Sequence, residues 1–176
     1  MGSSMASSIT TGLLTLLFVH IAQGSFQASV SFLQFQNPDN HLLNGKICDL
    51  RNAFTGHICD MEFKLCVEDL KSSTNDFRCN SGGYLFTGLI QANSNNVNLS
   101  AQGSYGNWTN PSFFTFPGTN QGIRLKVIAL DSNGPGVAPG LIDMIKLDVN
   151  VFAGSGARVL STQHFRGINI AATVYE

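Results

Sequence analysis

Apolar and polar side chains alternate one for one along much of this chain, and the alternation comes in short runs. Residues 58–68 read ICDMEFKLCVE, with Cys59, Met61, Phe63, Leu65 and Val67 on one face and Asp60, Glu62, Lys64, Cys66 and Glu68 on the other. Lys64 among the carboxylates marks that second face as a solvated one. Residues 28–35 open with Ala28, Val30 and Phe32, and residues 123–130 set Ile123, Leu125, Val127 and Ala129 against Arg124 and Lys126. Residues 141–151 set Leu141, Ile145, Leu147, Val149 and Val151 against Lys146, Asp148 and Asn150. Residues 168–175 carry Ile168, Ile170 and Val174, while residues 84–90 and 112–116 are two further apolar runs, the second stopped by Pro117-Gly118. A period of two is that of a strand, and no stretch after residue 24 sustains the 3.6 period of a helix. Turns rich in Gly, Asn, Ser and Pro divide the runs, and the Asn- and Ser-rich stretch 91–110 reads as a long excursion at the edge. Many short half-polar strands predict an all-β chain, an antiparallel β-sandwich rather than a barrel or a parallel sheet.

The N-terminus breaks this pattern. Residues 9–22, ITTGLLTLLFVHIA, hold no charge and are followed by Ala22-Gln23-Gly24, a small-x-small triplet of the kind signal peptidase accepts. The run falls short of the roughly 20 apolar residues that span a bilayer. Residues 1–24 are therefore expected to be a signal peptide and residues 25–176 one secreted domain. The net charge of −1, with 12% charged residues, excludes the electrostatic footprint of a nucleic-acid binder. With 43% hydrophobic residues and 13 Phe there is ample material for a core, which excludes disorder. A soluble monomer is the expectation.

In a secreted chain the four cysteines, Cys48, Cys59, Cys66 and Cys79, read as two disulfides. Their spacing lacks the close C-x2-C pairs of a zinc site. Cys59 and Cys66 point to opposite sides of one strand, roughly 23 Å apart at about 3.3 Å per residue, far beyond the reach of a disulfide. Two pairings survive: 48–59 with 66–79, or 48–66 with 59–79. The first is favoured, because each bridge closes a short loop that contains turn-forming residues.

Catalytic constellations are not found. His41, His57 and His164 stand in turn-like contexts without ligands at metal-binding spacing, and Gly154-Ser155-Gly156 lacks the G-x-S-x-G frame of a nucleophile elbow. The chain is not expected to be an enzyme. Asn98-Leu99-Ser100 and Asn107-Trp108-Thr109 are N-glycosylation sequons, whereas Asn110-Pro111-Ser112 is excluded by its proline. After the 123–130 strand comes Asp131-Ser132-Asn133-Gly134-Pro135-Gly136. Asp131 is the one calcium candidate, but a single carboxylate there favours a plain turn, so no metal and no cofactor is expected.

The order of these features resembles the N-terminal C2-like domain of Notch ligands of the Delta and Serrate/Jagged types. Phe32-Leu33-Gln34-Phe35-Gln36-Asn37, then Leu42-Leu43-Asn44-Gly45 and Cys48, are similar to that family's first strand, loop and cysteine. Residues 59–66, CDMEFKLC, resemble its cysteine-flanked strand, and Cys79-Asn80-Ser81-Gly82 its Cys-led turn. Residues 110–119, NPSFFTFPGT, followed by 123–131 resemble its aromatic-Pro-Gly step into a strand ending Ala-x-Asp. The likeness spans about residues 28–176. The DSL module, EGF repeats and transmembrane helix of such ligands have no counterpart in it, and of the several acidic residues in the Jagged-type loop only Asp131 matches.

The resemblance implies a C2-like sandwich that binds the EGF repeats of a Notch-type receptor, acting as a modulator rather than a stand-alone agonist. It places the domain outside the cell, or at the membrane as part of a longer ligand. It also implies that the loops at 37–43 and 131–140 approach a lipid or glycolipid surface, with Asn37, Asp39, Asn40, Asp131 and Asn133 as contact candidates. The alternative from the residues alone is a secreted sandwich that binds carbohydrate or lipid without a Notch connection.

Overall fold

The computed structural model describes residues 24–48, 58–91, 94–100, 102–118, 122–150, 158–162 and 168–175. The expected signal peptide, His57, His164 and Gly154-Ser155-Gly156 lie outside the described residues. Every regular element described is a strand: β1 (Ser25–Gln36), β2 (Met61–Asp69), β3 (Leu85–Gln91), β4 (Asn96–Asn98), β5 (Gly103–Tyr105), β6 (Trp108–Asn110), β7 (Ser112–Pro117), β8 (Ile123–Asp131), β9 (Gly140–Val149), β10 (Arg158–Thr162) and β11 (Ile168–Tyr175). One sheet runs β10-β11-β1-β4 with β7 also on β1, the other runs β3-β2-β8-β9, and β5 pairs with β6. All pairings are antiparallel. The sequence-predicted sandwich is the observed architecture.

The core is the set of inward positions that the alternation marked. Phe26, Ala28, Val30 and Phe32 of β1 face Met61, Phe63, Leu65 and Val67 of β2 and Ile123, Leu125, Val127 and Ala129 of β8, all buried. Phe63 stands at the centre, edge-on to Phe32 at 4.8 Å and to Phe35 at 5.2 Å between ring centroids. Such edge-to-face pairs add to the burial of area itself.

Two irregularities shift the expected phase. The register of β1 against β11 slips between Phe32 and Gln34, so Phe35, and not a residue in step with Phe32, is the next buried side chain. A second slip, at Ala129/Leu130 opposite β9, buries Ile142 and leaves Leu141 only half-buried, correcting the expectation that Leu141 shares the face of Ile145.

Within the stretch 91–110, expected as one long excursion, the described residues form the three short strands β4, β5 and β6. Between the parts of β1 paired with β7 (residues 25–30) and with β4 (residues 34–36), the backbone of Phe32 would face no strand on that edge. The buried side chain of Asn110 fills the gap: Phe32 N donates to its Oδ1 at 3.1 Å, and its Nδ2 donates to Phe32 O at 2.7 Å. Its Oδ1 also accepts from the Trp108 indole at 2.5 Å, and its Nδ2 also donates to Ser100 O at 2.9 Å. An amide side chain thus stands in for one peptide group of a missing strand.

The favoured disulfides are the observed ones, Cys48–Cys59 with Cα atoms 5.0 Å apart and Cys66–Cys79 at 5.9 Å. The second ties the segment between β2 and β3 across the outer face of the β2/β8 pair. That covers part of the face expected to be solvated: Cys66, Glu68 and Lys126 are all buried, as is Asp60 at its far end.

Candidate functional site

At one end of the sandwich β1, β2, β8 and β9 deliver two loops that meet. The first follows β1. Asn37 is fully buried, its Nδ2 3.1 Å from Cys59 Sγ and 3.3 Å from His41 O. Asn40 takes a left-handed backbone (φ 59°), which asparagine tolerates, and its carbonyl accepts from Cys48 N at 2.9 Å. Past it the chain doubles back: Leu42 N bonds Lys46 O, Gly45 N bonds Leu42 O, and Leu43 N bonds Leu141 O at 2.8 Å. The last bond lays this loop on the edge of β9, where the Leu42 methyls lie so close to Gly140 that a Cβ there would come within 2.9 Å of them. The disulfide between Cys48 and Cys59 anchors the loop's return to β2.

The second loop joins β8 to β9. The Asp131 carboxylate is buried and its Oδ1 accepts from Asp60 N at 2.7 Å, while Ser132 N bonds Asp60 O at 2.7 Å. Asn133 Nδ2 bonds Ala138 O at 2.9 Å and closes the turn, whose Gly134 and Gly136 both have positive φ.

The contact candidates therefore separate. Asn37 and Asp131 are buried scaffold residues, and the expectation that they lie on the tip surface is corrected: each side chain is turned inward to hold a loop base. Asp39 and Asn40 are half-buried, with His41 Nδ1 4.0 Å from the Asp39 carboxylate. Asn133 is half-buried as the loop's internal brace. Beside exposed Asn44 and Lys46, three apolar side chains of the tip face solvent: Leu43 at 53%, Val137 at 57% and Ile47 at 42%. Leu43, Asn44 and Leu141 line a shallow recess of about 260 Å³ there. Sequence reasoning did not single out Leu43, Ile47 and Val137 because it looked in loops for polar ligands. The signal was the isolated Leu42-Leu43 and Val137 inside turn-rich segments.

Among the described residues the groups of three neighbouring candidate ligands are Cys48–Cys59–Asp131 and Cys66–Glu68–Cys79. In both, the sulfurs are spent in disulfides and are not thiolate ligands.

A second feature lies on the face expected to be solvated. Glu68 and Lys126, on neighbouring strands, form a buried ion pair at 2.6 Å beneath the segment tied down by Cys66–Cys79. Ser73 Oγ and Asn80 N also donate to the carboxylate, both at 2.5 Å, and Lys126 Nζ donates to Arg78 O at 2.5 Å. Burial pushes the Glu68 carboxyl up. The hydrogen bonds from Lys126, Ser73 and Asn80, with the charge of Lys126, outweigh it and hold the group below its ordinary value. Beside it an open cleft of about 380 Å³ runs to Phe114, Thr115, Phe116 and Pro117. The Glu68 carboxylate is fully engaged by this structure-holding network, so the pair reads as architecture rather than chemistry.

Both sequon asparagines, Asn98 in β4 and Asn107 in the β5–β6 turn, are exposed.

No family model matches the chain, and no curated protein is detectably similar to it in sequence. Solved structures share its fold. A Drosophila C2-DSL-EGF1 structure superposes with a TM-score of 0.61 at 20% identity, over 85% of this chain and 67% of that one. Human GIVD cytosolic phospholipase A2, bound to methyl gamma-linolenyl fluorophosphonate, superposes with a TM-score of 0.54 at 13% identity, over 88% of this chain but only 18% of the enzyme. The same enzyme without the inhibitor gives 0.54 at 14% identity, over 17% of its length. The fold is C2-like, and a Notch-ligand-type C2 domain is among the structures that share it.

Proposed function

We propose that this chain is an extracellular, non-enzymatic binding module of the Notch-ligand type, which engages the EGF repeats of a Notch-type receptor and needs no cofactor. The observation that supports this reading is the likeness to the Drosophila C2-DSL-EGF1 structure over most of the chain. It agrees with the cysteine-flanked strand and aromatic-Pro-Gly step by which the sequence resembles that family. The test is binding of the oxidised chain to immobilised N-terminal EGF repeats of Notch. Saturable binding that disappears on disulfide reduction is the expected result. No binding at high micromolar concentration sinks the receptor role and leaves the fold untouched.

A lipid-surface role is the second reading, and a specific observation favours it. Leu43, Ile47 and Val137 project from two loops braced against each other at one end of a rigid sandwich. Large apolar side chains exposed at one end of a domain mark an interaction surface. Among the described residues of the two loops Lys46 is the one lysine or arginine, so the attraction to a surface is apolar rather than ionic.

A further inference from the structure

We propose that Asn107 carries an N-glycan whose first sugars lie over the exposed apolar face of β3, with Phe86 as the ring they cover; this rests on the secretory reading above. β3 is an edge strand, and two of its outward side chains are large and exposed, Phe86 at 45% and Leu89 at 53%. In register they stand opposite Lys64 and Glu62 of β2, on the outer face of the sheet. Lys64 Nζ sits 4.9 Å from the centroid of the Phe86 ring, and nearly half of that side chain still faces solvent.

The β5–β6 hairpin brings the sequon to this strand. Asn107 N donates to Phe86 O at 2.7 Å, so the acceptor asparagine sits beside Phe86 on the strand's open edge. Gly106 is pressed against the same strand: a Cβ there would fall 2.4 Å from Phe86 O. The turn is held from below by Trp108, fully buried, and by Asn110 in the gap of the first sheet. A glycan on Asn107 therefore starts from a fixed point next to an exposed ring. The apolar C–H faces of its N-acetylglucosamine residues are the matching chemistry for such a ring, and covering it removes apolar area from water. The other sequon, Asn98, lies in β4 of the first sheet, paired with Gln34, and serves as the internal control.

The experiment expresses the full chain in a glycosylating eukaryotic cell line. It measures site occupancy by glycopeptide mass spectrometry and side-chain accessibility by hydroxyl-radical footprinting. With Asn107 glycosylated, labelling of Phe86 and Leu89 is expected to be several-fold lower than in N107Q or T109A. Both variants remove the sequon at exposed positions, and N98Q should leave the labelling unchanged. Enzymatic trimming to a single N-acetylglucosamine should keep most of the protection. Occupied Asn107 with unchanged labelling overturns the proposal alone, as does an empty Asn107 beside an occupied Asn98. A secretion defect with both sites empty overturns the secretory reading and the proposal together.

Discussion

Two single residues carry more of this structure than their sequence context suggests. Asn110 makes four hydrogen bonds from a buried amide, two of them to the backbone of Phe32. Asn110→Leu strips the partners from buried donors and acceptors at once, each costing about 1–3 kcal/mol when orphaned. Urea unfolding should show a loss of several kcal/mol, and a variant as stable as the parent would show that β1 does not depend on this side chain. Glu68 is the other. Glu68→Ala leaves Lys126 buried without its counter-charge and is expected to cost about 3–5 kcal/mol, whereas replacing both partners by leucine and methionine should recover most of that. The same pair sets a pH dependence. The Glu68 carboxyl is held below its ordinary 4.5, and that of Asp148 below 3.8, chiefly by the Arg124 hydrogen bond. A carboxyl with a lowered folded-state pKa contributes stability that is fully present above its unfolded value and lost as pH falls through the folded one. The melting temperature should thus hold from neutrality to about pH 5 and decline as pH falls further through the carboxylate range. A melting temperature that rises on acidification would contradict the ion-pair account.

At the scale of elements, what was legible followed from alternation. The strands with a clean period of two, β1, β2, β8, β9 and β11, stand where Phe32, Phe63, Val127, Ile145 and Ile170 predicted them, with ends shifted by a few residues. The three-residue strands β4, β5 and β6 were illegible because three residues cannot show a period, and β10 had no apolar alternation to announce it. The bulges escaped for another reason: a slip of register is set by the partner strand, not by the strand that bears it. The segment 70–83 was the largest surprise. Glu62, Lys64 and Glu68 look alike in sequence, and only the course of the chain after Asp69 buries the last while leaving the first two partly exposed. That course depends on Cys66–Cys79, which fastens the segment over Lys126, with Phe77 lying over Lys146 at 5.1 Å. Replacing both cysteines by alanine should lower stability by about 3 kcal/mol and expose Lys71 and Arg78 to trypsin well before the sheets unfold. Equal cleavage rates with and without the bridge would show that hydrogen bonds alone hold the segment.

For the whole molecule the division of labour is between a stiff body and one apolar end. The sheets meet through a continuous set of buried side chains from Phe26 to Ala172, so neither loop at the tip can move far without disturbing β9 or the Cys48–Cys59 bridge. The candidates chosen from sequence at this end were polar, and two of them, Asn37 and Asp131, turn inward to hold the loop bases. The proposed lipid-surface role therefore rests on Leu43, Ile47 and Val137. Leu43→Asp combined with Val137→Asp changes only exposed side chains, so thermal unfolding should be nearly unaffected, within the roughly 0.5 kcal/mol usual for surface sites. Flotation with neutral phosphatidylcholine vesicles should in contrast be lost. Because the described residues of this end hold no basic cluster, binding of the parent chain should persist as salt is raised, since ionic attraction is screened and burial of apolar surface is not. Binding that requires anionic lipid and falls away with salt would mean that another, charged part of the surface makes the contact, and the apolar tip would lose its role.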